Sequence, residues 1–314
     1  MSGIRFDNKR MNGKGKITMT SHAETFRTEG QVQRAKTGLR LFLSILLVIS
    51  IIMNTAVIIT KSIPLIAVYM FTPALSSILA RILLREGFKD VSFSLSSTKI
   101  WKGIGLALLI PMIICAITYS IAWFSGLAVF QLPQGGMLEP VFHILGLQHL
   151  PTPLNFVFIV VVTGILGSLI NLIPVMGEEI GWRGYMLTRL VDAKVKRPVL
   201  ISGLIWATWH VPIVIAGLYV AESSVILSVL GIYLCIVPFS YITARLRLIT
   251  GSVWPSVIIH TTWNAIIQGP FARATTGYQL EVWIGESGLI TALIISITAI
   301  IVYRIIRFTK HVKL

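Results

Sequence analysis

Apolar runs about twenty residues long limit what this 314-residue chain can fold into. The first, "LFLSILLVISIIMNTAVIIT" (41–60), holds no charged residue. About 20 apolar residues in a helix span the hydrocarbon of a bilayer, where no water satisfies a free N–H or C=O. Composition agrees: 55% of residues are hydrophobic and 12% are charged, against about a quarter charged in soluble domains. The expected fold is all-α, a polytopic membrane protein with about eight transmembrane helices. They fall near 41–60, 63–84, 103–124, 154–182, 199–219, 224–243, 253–270 and 286–306. The fourth is long and contains Pro174, which predicts a kink or tilt.

The net charge of +15 does not point to nucleic acid as a partner, because Lys and Arg lie beside apolar runs, as membrane topology demands. With the N-terminus inside, the inner side holds 1–40, 81–102, 183–198, 244–251 and 304–314. Of the 27 Lys and Arg, all but Lys61 and Arg273 fall there, and the outer segment 125–153 holds none. The expected orientation puts both termini in the cytoplasm, in a multi-pass protein of the cell membrane whose first partner is the lipid bilayer. Cys115 and Cys235 sit in apolar segments and read as small buried hydrophobes, without disulfide or metal spacing.

Residues 1–38 read as a basic, disordered cytoplasmic tail without a cleavable signal peptide. Residues 39–152 form the N-terminal membrane helices and loops, 153–270 a core, and 271–314 an outer loop and the last helix. The stretch "REGFKDVSFSLSSTKIWKG" (85–103) reads either as an amphipathic segment at the inner interface or as an ordinary loop.

A charge at the centre of a membrane helix costs about 2.5–3.5 kcal/mol on insertion scales. Few such groups occur here: Glu178 and Glu179, then His210, then His260, with Asn264 one turn later. Counted from the inner ends of their helices, Glu178, His210 and His260 lie roughly 17, 18 and 14 Å deep. Three helices thus carry ionisable groups at one level, which scattered polar residues have no reason to do. Arg183 is at i+4 from Glu179, so these two pair along one face and leave Glu178 to face a site. Trp206 and His210, and likewise His260 and Asn264, share faces. Gly177, Gly181 and Gly184 give room for close helix approach. Pro212 is expected to disturb its helix beside His210. The tryptophans at 182, 206, 209, 254 and 263 read as packing or interface anchors.

A carboxylate in a dry pocket can act as general base, and His260 with Asn264 can hydrogen-bond a developing oxyanion. Glu178, His210 and His260 also match a three-ligand site for a divalent metal such as zinc. Both schemes activate water against a carbonyl, and both suit amide hydrolysis at the membrane. A proton-coupled transporter is disfavoured, because no internal repeat is present.

At these residues the sequence resembles the CPBP intramembrane proteases, also called the Abi family, which includes the CAAX prenyl endopeptidases. Their EExxxR, FxxxH and HxxxN-type motifs correspond to "EEIGWR" (178–183), "WATWH" (206–210) and "HTTWN" (260–264), with Trp206 where the family has Phe. The resemblance covers about residues 155–270. It implies proteolysis of a peptide or membrane-protein substrate at a cytoplasm-facing intramembrane cavity. Glu178 and His210 would activate water, His260 and Asn264 would hold the oxyanion, and Glu179 and Arg183 would support them. Whether a metal takes part stays open. The alternative within the same fold is a non-catalytic immunity or membrane-sensor regulatory protein.

Overall fold

The computed structural model describes residues 15–133, 138–220 and 224–308, with side chains outside 15–28, 63, 148 and 306–308. Helices α1 (Gly15–Thr60), α2 (Ile63–Tyr69), α3 (Thr72–Leu84) and α4 (Thr98–Phe124) lead to strand β1 (Val129–Phe130) and helix α5 (Glu139–Ile144). Helices α6 (Thr152–Val162), α7 (Ser168–Ile170), α8 (Leu172–Gly181) and α9 (Leu187–Asp192) follow one another. They are interrupted by π turns at Thr163–Gly167 and Trp182–Met186 and by a turn at Asn171. Then come α10 (Pro198–Ile215), α11 (Val225–Thr250), α12 (Trp254–Ile266), a π turn at Ile267–Phe271, β2 (Thr275–Thr276), α13 (Leu280–Trp283) and α14 (Leu289–Phe308). The strands pair antiparallel and tie the loop after α4 to the loop before α13.

Local sequence sets several boundaries. Proline occupies the first turn of α2, α3, α6, α10 and α12, where its missing N–H leaves no bond unmade. Ser97 caps α4 by accepting from the Lys99 amide. Gly251, at φ 70°, ends α11 in the left-handed conformation that glycine adopts without strain.

Six helices among the described residues are long and apolar enough to cross a membrane: Glu29–Thr60, Pro64–Leu84, Thr98–Phe124, Thr152–Ile170, Pro198–Ile215 and Val225–Thr250. Leu289–Ile305 is a shorter apolar helix. Of the eight expected spans, the fourth is divided at Asn171 and the seventh contains α12, only 13 residues long. These are two of the three segments that carry the candidate polar groups, and both are cut by turns, at Asn171 and at Ile267–Phe271.

Three local expectations change. Helix α1 starts at Gly15, so 15–38 is helical rather than a disordered tail; no proline interrupts it, and the first span nucleates helix upstream. Residues 1–14 lie outside the description. Of the two readings of the stretch after α3, the ordinary loop is the one found: residues 86–97 are irregular, beginning where Arg85 ends α3 at φ 52°. The break expected at Pro174 falls at Asn171, because Pro174 has no N–H for the carbonyl of Ile170. Helix α10, by contrast, continues through Pro212 to Ile215.

Helix α12 is the inner post, packed against α4, α11 and α8. Apolar side chains such as Leu47, Ile52 and Leu230 point outward, where lipid is their solvent. Helices α3 and α8 meet at Gly181, where an added Cβ would overlap the Pro73 backbone. Gly181→Ala is therefore expected to destabilise the fold by about 1–3 kcal/mol through overpacking, read as a lower thermal midpoint in detergent, with Gly30→Ala, where the space is open, as the neutral control.

Candidate functional site

The site is built on a buried ion pair. Arg183 Nη1 donates to Glu179 Oε1 at 2.6 Å, as the i+4 spacing predicts, and neither side chain is exposed. The same oxygen accepts from His260 Nδ1 at 2.9 Å, joining α8 to α12. Arg183 Nη2 donates to Thr243 Oγ1 at 2.6 Å and Ser240 Oγ at 3.2 Å on α11. Its guanidinium lies 4.2 Å from the centre of the Trp206 ring on α10, a cation–π contact that strengthens when desolvated. Arg183 thus fastens two neighbouring helices and Glu179 a third.

Glu178, only 2% exposed, points elsewhere. Its Oε2 accepts the indole N–H of Trp182 at 3.2 Å and of Trp206 at 2.9 Å. Trp206 is the hub: its ring centre lies 5.9 Å from that of His210 and 5.1 Å from that of His260. His210 Nδ1 is 2.9 Å from the carbonyl of Trp206. A carbonyl only accepts, so the Nδ1 carries the proton, and in neutral imidazole Nε2 keeps its lone pair. In His260, Nδ1 is turned to Glu179, which again leaves Nε2 for a bound molecule.

Glu178, His210, His260 and Asn264 line one cavity of about 240 Å³, together with Trp206, Trp209 and Trp263. The convergence inferred from depth is therefore present. Glu179 and Arg183 lie behind the wall. Asn264 and Asn171 also line an adjoining cavity of about 320 Å³.

Several contacts of the site are not singled out by the sequence. Trp182, at i+4 from Glu178, was recoverable from helical spacing; the indole bond from Trp206 was not, because it crosses between helices. Glu286, Gln268 and Tyr219 come from loops or helix ends. Gln268 Nε2 donates to Glu286 Oε2 at 3.0 Å. Nothing in the sequence distinguishes Glu286 from other loop acids.

The residues do not fit the metal alternative. Among the described residues no group of three or more His, Cys, Asp or Glu is arranged to hold a metal ion. Glu178 Oε2 is already taken by two indole donors. The three-ligand set Glu178, His210, His260 thus lacks geometric support.

Fold and cavity together define the class: an α-helical multi-pass membrane protein with a carboxylate, two imidazoles and an amide around one internal hollow. Residues 153–266 match the family model described as type II CAAX prenyl endopeptidase Rce1-like. That stretch contains all three motifs on which the CPBP resemblance rests. No curated protein matches the chain significantly.

Removing one partner of a buried pair leaves an uncompensated charge, at a cost of about 3–5 kcal/mol. Arg183→Met is therefore expected to lower stability by that amount. Glu179→Gln combined with Arg183→Met should recover part of it, measured as thermal midpoints of the purified chains.

Proposed function

We propose that the chain is an intramembrane endopeptidase that hydrolyses a peptide bond of a membrane-associated peptide or protein. The observation that carries this reading is the division of labour between adjacent glutamates. Glu179 is committed to Arg183 and His260, whereas Glu178 faces the cavity that His210, His260 and Asn264 also line.

In this reading a water bound between Glu178 and His210 attacks the scissile carbonyl carbon. Glu178 takes the proton, and His210 Nε2 holds the water by accepting its second hydrogen. The carbonyl oxygen gains the negative charge and accepts from Asn264 Nδ2 and from Nε2–H of His260 in its imidazolium form, whose Nδ1–H is held by Glu179. Collapse breaks the C–N bond, and the proton passes from Glu178 to the leaving nitrogen. The products are a carboxylic acid and an amine, which become a carboxylate and an ammonium once the acid's proton passes to the amine. Apolar walls from Trp209, Ile213 and Ile236 keep bulk water away, so these polar groups act in a low dielectric.

Glu178→Gln keeps the shape and removes the base. It should lower cleavage by about 10²–10⁴-fold while the protein stays folded and inserted, as measured with native membranes and a fluorogenic peptide pool. His210→Ala should do the same. Chelator should leave the wild-type rate unchanged; inhibition reversed by zinc would overturn the metal-free scheme. A phenotype that survives both substitutions would favour the non-catalytic immunity or regulatory role.

A further inference from the structure

We propose that Glu286 forms a subsite for a cationic side chain of the substrate, so that the enzyme prefers a Lys or Arg close to the bond it cuts. The inference rests on the protease reading for the cutting, and on the cavity alone for the binding of the cation.

Charge is the first observation. The chain carries a net charge of +15, yet its central hollow is lined by two carboxylates, Glu178 and Glu286, and among the described residues by no Lys or Arg. Arg183 lies behind the wall, bonded to Glu179, and His260 turns its Nδ1 to the same Glu179 oxygen. The loop acids Glu86, Asp90 and Asp192 each meet Arg189. Glu286 is paired with no Lys or Arg among the described residues. Its Oε2 accepts only a neutral amide hydrogen, from Gln268 Nε2 at 3.0 Å. A carboxylate partly withdrawn from water without a cation is held at a cost, which a cation brought by the substrate would offset.

The backbone presents this acid firmly. Glu286 lies in the tight turn between α13 and α14, after Gly285 at φ 80°. The next residue, Ser287, is buried and packs so closely on α11 that a Cβ added at Gly231 would overlap its carbonyl. Cys235 Sγ, also on α11, donates to the carbonyl of Gly288 at 3.6 Å. The residues around Glu286 are thus fastened to α11 while its own side chain reaches the hollow and stays partly exposed. A binding group on a fixed turn keeps its geometry when the ligand arrives.

Aromatic rings connect this acid to the chemistry. Tyr219 and Trp263 border the Glu286 carboxylate. The Tyr219 ring also stacks on His210, with centres 5.6 Å apart and planes 28° apart. A Lys or Arg stem can lie along such rings while its charged head meets the carboxylate. The subsite is then one ring away from the imidazole that holds the attacking water, so the side chain it reads belongs to a residue near the scissile bond. An acidic side chain at that place would meet Glu286 as a like charge and be refused.

The test uses the full chain purified in detergent and pools of N-acetylated, C-amidated quenched peptides. One position is fixed in turn as Lys, Arg, norleucine or Glu. The wild-type chain should cleave the best Lys or Arg pool with a kcat/KM about 10–10²-fold above norleucine at the same position, the worth of a hydrogen bond to a charged group. In Glu286→Gln that ratio should collapse toward unity, and in Glu286→Lys the preference should turn to Glu. Each ratio is taken within one preparation, so a smaller folded fraction cancels. Glu281→Gln, which changes an acid on α13 that does not line the cavity, should keep the wild-type ratio. A wild-type chain indifferent to charge would overturn the proposal. So would a Glu286→Gln chain that cuts every pool more slowly by the same factor, which is what a merely structural acid gives. Binding is read separately on the Glu178→Gln chain, by fluorescence anisotropy of labelled Lys and norleucine peptides. Tighter binding of the Lys peptide, lost when Glu286→Gln is added, supports the subsite. If the wild-type chain cuts no pool, the protease reading falls and this binding difference alone decides the subsite; equal binding of the two peptides would then overturn both.

Discussion

The buried contact between Glu179 and Arg183 is the constraint on which the rest of the site depends. Two opposite charges cannot stay inside a membrane protein without each other, and their remaining bonding capacity must also be met. Here it is met in part, by His260, Ser240, Thr243 and the face of Trp206, while Glu179 Oε2 and Arg183 Nε have no hydrogen-bond partner among the described residues. Those partners belong to three other helices, so bonding this one ion pair fixes the relative placement of α8, α10, α11 and α12. The imidazole of His260 is oriented as a by-product.

Once the ion pair is in place, Glu178 cannot turn toward it. Neighbouring helical positions point about 100° apart, so Glu178 faces a different space, where two indole N–H groups hold one of its oxygens. Trp206 has a double role. Its ring face carries Arg183, and its N–H carries Glu178. A phenylalanine, as in the family pattern, could supply only the first. Here the departure from that pattern adds a bond to the candidate base, an outcome that side-chain size alone would not suggest.

The interruptions of the helices serve the same end. The turn at Asn171 and the π turns at Trp182–Met186 and Ile267–Phe271 lie next to the cavity walls. A regular α-helix presents every carbonyl to its own i+4 amide and leaves no polar backbone to face a hollow. Breaks of this kind are tolerable at membrane depth only where the protein itself surrounds them, and each of these packs against α12, α6 or α10.

The apolar runs determined by themselves that the chain is a helical membrane protein, because lipid leaves the backbone no other way to pair. Helical periodicity likewise determined that Glu179 would pair with Arg183 and that Glu178 would face away, since both statements concern residues within one turn. The agreement in depth of Glu178, His210 and His260 pointed to a shared site, and the motif spacing to a protease family. Other features were not legible. The loop at 86–97 read equally well as an interfacial segment, because its role comes from bonds to residues more than 150 positions away. Glu286 looked like any loop acid, and the indole of Trp206 like packing. Only the tertiary structure decided which distant residues share the cavity wall with Glu178. That depends on where distant helices stop against one another, and such contacts have no period in the sequence.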